Sequence, residues 1–106
     1  MYLPKAYENF SKDYPRVLEA YRNLGKVCRE AGPLDEKTQE MVKLGISIGA
    51  ASRGTVMSST RKALAAGASK EEIIHAVLLA VSTTGFPNMV AALGWVNEVL
   101  AKLDES

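Results

Sequence analysis

The sequence is poor in the residues that carry most redox and metal chemistry. It holds one cysteine, Cys28, and one histidine, His75, in 106 residues. One thiol closes no internal disulfide and cannot build a four-ligand zinc site. Cys28 is expected to serve as a buried or half-buried small apolar side chain. Aromatic residues are 7% of the chain against 47% apolar residues overall. The core must therefore come mostly from Ala, Leu, Val, Ile and Met. An excess of one charge is missing too, with 13 basic and 12 acidic residues and a formal net charge of +1. That balance gives no electrostatic case for nucleic acid or an anionic membrane. The longest apolar stretch, residues 73–81, is interrupted by His75 and falls short of the ~20 residues that span a bilayer. Residues 1–10 include Pro4, Lys5, Glu8 and Asn9 and lack an apolar signal-peptide segment. The expectation is a cytoplasmic protein with no cofactor, no bound metal and no membrane partner. Repeats and low-complexity tracts are absent, and strand signals nearly so.

Helix punctuation is plentiful. Pro15 suits a first helical turn, where its missing N–H costs nothing. Over residues 16–31, Val17, Leu18, Tyr21, Leu24, Val27 and Cys28 recur at three- and four-residue steps. Gly32-Pro33 ends that helix. Asp35 is an N-cap, and the helix it opens should reach about residue 51. Met41, Leu44, Gly45 and Ile48 mark one apolar face; Val42, Ile46 and Gly49 mark a second. A helix apolar on two faces is expected to be packed on two sides. Gly45 and Gly49 further predict a close helix–helix approach, either in a tight core or at a symmetry-related contact. A third helix should run over residues 55–66 and end at Gly67. Ser69 with Glu72 forms a capping box that opens a helix over residues 70–84, stopped by Gly85. Pro87 starts the last helix, with Val90, Leu93, Val96, Leu100 and Leu103 as its stripe. The first ten residues add a short helix. The reading is all-α: a compact bundle of five or six helices whose short connections make successive helices antiparallel neighbours. Residues 1–33 form an N-terminal helical segment and 34–106 the helical core, one domain overall.

Three stretches in order resemble a known family: Leu34-Asp35-Glu36-Lys37-Thr38; Ala63-Leu64-Ala65-Ala66-Gly67-Ala68-Ser69-Lys70-Glu71-Glu72-Ile73; and Gly85-Phe86-Pro87. The family is that of carboxymuconolactone decarboxylase and the AhpD-like proteins, and the similarity covers about two thirds of the chain, residues 34–103. It implies an all-helical fold whose subunits assemble as homotrimers or homohexamers through shared helical faces. It also implies a reactive centre. The peroxidase branch has a Cys-x-x-Cys pair at a helix start, a His four residues after the second Cys and a Glu twelve before the first. A helix N-terminus lowers a thiol pKa, and Glu and His move protons.

In this chain the Glu falls on Glu40, the two Cys positions on Ser52 and Thr55, and the His on Ser59. Serine and threonine cannot replace a redox thiol. Aligned to the cysteine-free Glu-Gly-x-x-His-x-His relatives, Arg53 stands for the Glu, Met57 for the first His and Ser59 for the second. The resemblance therefore implies peroxidase or lactone decarboxylase chemistry whose motif residues are replaced.

Two readings stand for each remaining candidate. Glu40 is a proton-transfer carboxylate, or a surface Glu beside Lys43 and Lys37. His75 is a general base or ligand, or a lone structural imidazole. Ser52, Thr55, Ser58, Ser59 and Thr60, flanked by Arg53, Arg61 and Lys62, form an anion pocket at a helix N-terminus, or an N-cap followed by a solvated face. Met41, Met57, Met89, Trp95 and Phe86 line an apolar pocket, or only a core. Three functions follow. The first is a family member that has lost its redox activity but keeps its assembly and a small acidic ligand. The second is an enzyme repurposed to decarboxylase- or isomerase-like acid–base chemistry at Glu40. The third is a structural or engineered oligomeric scaffold.

Overall fold

Proline, glycine and side-chain caps set the helix boundaries. The computed structural model describes residues 5–104. They form α1 (Lys5–Asp13), α2 (Pro15–Glu30), α3 (Glu36–Ala50), α4 (Arg53–Ala65), α5 (Lys70–Leu78), a 3-10 segment (Leu79–Ser82) and α6 (Phe86–Asp104). This is an all-α fold, without a strand among the described residues. The first four residues of the expected N-terminal helix lie outside the described ones. No described helix is long and apolar enough to cross a membrane. The chain divides into two compact units, Met1–Pro33 and Leu34–Ser106.

In the first unit, Pro15 sits in the opening turn of α2. The Phe10 and Tyr14 rings meet at 5.5 Å between centroids, and Arg22 donates to the Tyr7 hydroxyl at 3.0 Å. Leu18 is the only buried residue of α2. Val17, Tyr21, Leu24 and Val27 are exposed. So is Cys28, which corrects its expected burial: it shares its side of α2 with the exposed Val17, Tyr21 and Leu24.

In the second unit the caps are those the sequence requires. The Asp35 carboxylate accepts from the Thr38 N–H at 2.8 Å. Ser69 Oγ accepts from the Glu72 N–H at 3.1 Å, and Glu72 Oε1 accepts from the Ser69 N–H at 2.9 Å. Gly67 and Gly85 take φ of +101° and +103°, the left-handed region that lets helices stop. The core joins Leu44 and Ile48 of α3, Val56 and Ala63 of α4, Ile73 and Val77 of α5, and Met89, Ala92, Val96 and Leu100 of α6.

The structure corrects four details. The expected 70–84 helix tightens into the 3-10 segment after Leu78. There Thr83 Oγ1 bonds back to the Leu79 carbonyl and Thr84 Oγ1 to that of Ala80, hydroxyl chemistry that competes with α-helix. Helix α4 starts at Arg53, two residues early. In α6 the core stripe uses Met89 and Ala92 where Val90 was expected, and Val90 and Leu103 are exposed. Helix α3 is covered on one side only: Val42 and Ile46 are exposed, and open space surrounds Gly45. The close approach predicted at Gly45 is not made within this chain's described residues.

Candidate functional site

A two-residue connection, Ala51-Ser52, folds α4 back along α3. Ala51 makes it possible by taking φ +55°, a conformation a non-glycine residue adopts at a cost. The reversal brings together the buried faces of the two helices. Glu40, Leu44, Ser47 and Ile48 come from α3, and Val56, Met57, Ser59, Thr60 and Ala63 from α4.

Glu40 is the chemically distinctive member. It is only 8% exposed. Lys43 Nζ lies 3.7 Å from Oε1, beyond good hydrogen-bond length. Oε2 is buried and accepts no hydrogen bond, the one such side-chain atom among the described residues. Glu40 is thus buried where a surface position was one expectation, and it keeps the expected Lys43 neighbour. The buried hydroxyls of the two helices are spent on their own backbone: Ser47 donates to the Leu44 carbonyl at 2.8 Å and Thr60 to that of Val56 at 2.8 Å. Ser59 is buried too. The expected solvated α4 face is thus half interior.

At the start of α4, Ser52 has N-cap backbone geometry, but its side chain caps no N–H. Its hydroxyl instead meets that of Thr55 at 3.0 Å. Arg53 is engaged as well, its guanidinium 2.7 Å from Glu98 Oε2 on α6. Sequence reasoning missed Glu98, since nothing local links positions 45 residues apart. The cation expected to greet an acidic ligand already holds a carboxylate. Ser58 is half-buried. Met57 and Met89 are in the interior, and Phe86 is 64% exposed, outside the apolar set in which it was placed. His75 is exposed on α5. No cluster of described His, Cys, Asp or Glu residues could hold a metal ion.

The fold and site define a small helical protein in which a helix–turn–helix carries a buried carboxylate on α3 and a pair of bonded hydroxyls at the start of α4. The chain belongs to the carboxymuconolactone decarboxylase family, whose family model matches residues 15–98. That match reaches further toward the N-terminus than the motif resemblance and takes in α2. An uncharacterized protein of Methanocaldococcus jannaschii is 30% identical over 92 residues, 87% of this chain and 86% of that protein. An uncharacterized protein of Haemophilus influenzae is 34% identical over 47 residues, 44% of this chain. The matched segment spans 42% of the Haemophilus protein's length. No solved structure matches the chain.

Proposed function

We propose that this chain is a family member without thiol redox activity, whose remaining polar centre is Glu40. Ser52 and Thr55 occupy the positions of the family's cysteine pair with hydroxyls, which form no thiolate and no disulfide. The observation that carries the reading is the unpartnered Oε2 of Glu40. A buried acceptor without a donor costs about 1–3 kcal/mol, and a donor on a bound molecule would offset that cost. The ligand this favours is a small uncharged molecule with an O–H or N–H group. A small acidic ligand has less support: it would meet the Glu40 carboxylate, and Arg53 is already paired with Glu98. The same oxygen can accept a proton, which supports acid–base chemistry of decarboxylase or isomerase type as the second reading. A purely structural scaffold gives the buried carboxylate no task.

The reading includes self-association as a homotrimer or homohexamer. Support comes from the second face of α3, where Val42 and Ile46 are 48% and 67% exposed. The exposed thiol of Cys28 fits a reducing, cytoplasmic setting.

The test has two arms. Peroxide consumption with a dithiol reductant should not exceed the blank; turnover would contradict the loss of redox activity. A thermal-shift screen of neutral phenols, alcohols and amides should give saturable shifts in the wild type that disappear in Glu40→Met. Equal shifts in both proteins, or shifts from carboxylic acids alone, would sink the Glu40 site.

A further inference from the structure

The cation beside Glu40 is set by position on α3. Lysines stand three residues to either side of it, Lys37 and Lys43, and residues at that step are neighbours on a helix surface. Lys37 is taken elsewhere: its Nζ lies 2.8 Å from Oε2 of Glu72, on α5. Lys43 stays with Glu40, its Nζ 3.7 Å from Oε1. Two polar groups therefore sit side by side. One is a carboxyl whose Oε2 has no donor; the other is an ammonium held beyond good hydrogen-bond length. Ser47 and Thr60, buried on the same two helices, offer no substitute, since each donates to a carbonyl of its own helix.

We infer that Glu40 and Lys43 together select a small neutral molecule with an N–H beside a carbonyl on one edge, as in a cyclic amide. This rests on the Glu40 site proposed above and adds the residue that chooses the ligand. The N–H donates to the Glu40 carboxyl, and the carbonyl accepts from Lys43 Nζ. The pair as a whole carries no net charge. An anion would meet the carboxylate and a cation the ammonium, whereas a neutral donor–acceptor edge suits both groups at once. Spacing agrees. In an amide the nitrogen and oxygen lie about 2.3 Å apart. Hydrogen bonds of about 2.9 Å that splay outward from that edge end on groups roughly 3–4 Å apart, and Nζ lies 3.7 Å from Oε1. An open-chain secondary amide is trans and points its N–H and C=O to opposite sides. Closing the amide in a six-membered ring turns both to the same edge. Each of the two bonds has a charged partner, which places both in the stronger class.

The experiment is an NMR chemical-shift titration giving Kd for three probes of one ring size. They are δ-valerolactam, its N-methyl derivative and cyclohexanol. The wild type should bind the lactam about tenfold more tightly than either other probe, the effect of one added hydrogen bond to a charged group. In Lys43→Met the lactam should lose its advantage over cyclohexanol. Lys43→Arg keeps a cationic donor and should restore part of it. Circular dichroism checks the fold of each variant, and the comparison of the three probes in the wild type needs no variant at all. A wild type that binds the probes alike, or does not bind the lactam, overturns the inference. So does a Met variant that keeps the lactam advantage. In each case the Glu40 site stands if the ligands that do bind are lost in Glu40→Met. Lactam binding that survives Glu40→Met overturns both.

Discussion

Lys43 reaches toward Glu40 and stops 3.7 Å short of Oε1, leaving Oε2 with no donor at all. The lysine is half exposed, whereas the carboxylate side chain is 11% exposed. Their contact thus joins a solvated ammonium to a largely buried carboxyl group. Exposed pairs contribute about 0–1 kcal/mol, less than the about 1–3 kcal/mol lost by burying an unsatisfied acceptor. On this balance Glu40 is expected to lower stability in the isolated chain.

Replacing the carboxylate by an apolar side chain of similar length should therefore stabilise the protein. Glu40→Met is expected to raise the unfolding free energy by about 1–3 kcal/mol. Urea denaturation followed by circular dichroism reads this directly. A loss of stability in the variant would show that Glu40 holds the α3–α4 pair together.

Arg53 and Glu98 join the first turn of α4 to α6 at 2.7 Å, yet both side chains are about half exposed, at 60% and 49%. Water screens such a pair, so Arg53→Met should cost no more than about 1 kcal/mol in urea unfolding. Glu98→Gln should have a second effect. It frees the guanidinium, and sulfate should then protect the variant against heat more than it protects the wild type. Equal protection would remove Arg53 as a latent anion site.

The helix ends were legible because their chemistry is local: Asp35, Ser69, Gly67 and Gly85 act within one turn. The α6 stripe was misread because alanine carries little pattern, although Ala92 packs at 0% exposure. Thr60 is equally buried, since its hydroxyl is spent on its own helix at the Val56 carbonyl. Its polarity therefore says nothing about its side of the helix. At the site, family spacing alone singled out Glu40. Its missing donor and the capture of Arg53 by Glu98 depend on how distant segments meet, and no window of sequence contains that.

Acid should weaken the start of α3 and α5 together. The Asp35 carboxyl is held below its ordinary 3.8 by hydrogen bonds from the Thr38 side chain and N–H. The Glu72 carboxyl is held below 4.5 by Lys37 and then by the Ser69 N–H. Depressed folded values mean that stability is fully present above the unfolded pKa and is lost as pH falls through the folded one. Stability should thus be flat near neutrality and decline below about pH 4.5. Asp35→Asn/Glu72→Gln should flatten that decline, measured as urea midpoint against pH. An unchanged slope would place the acid sensitivity elsewhere.

Leu44 and Thr60 are both fully buried, on α3 and α4, but truncation should treat them differently. Leu44→Ala removes packing from the centre of the core and should cost about 2–5 kcal/mol. Thr60→Val keeps the shape and removes a hydroxyl bonded only to its own helix, so the change should stay within about 1 kcal/mol. If the two variants melt alike, the α3–α4 interface is not packed as described.

The 3.0 Å contact between the Ser52 and Thr55 hydroxyls makes a sharper prediction about what cysteines at these two positions would do. It shows that the two side chains point at one another across the first turn of α4. A disulfide needs its sulfurs at ~2.05 Å with Cβ atoms ~3.8 Å apart, a small closure from this arrangement. In a Cys28→Ser background, Ser52→Cys/Thr55→Cys should oxidise to an intramolecular disulfide. Titratable thiols should fall from two to none on oxidation and return to two with reductant, at unchanged molecular mass. The helix N-terminus should favour thiolate at these positions. Adding Ser59→His supplies a proton carrier to work with Glu40, and slow peroxide reduction with a dithiol should appear. Should the thiols fail to pair in a folded variant, the assignment of positions 52 and 55 to the family's cysteines is wrong. Pairing without peroxide turnover would instead locate the missing element at Glu40 or position 59.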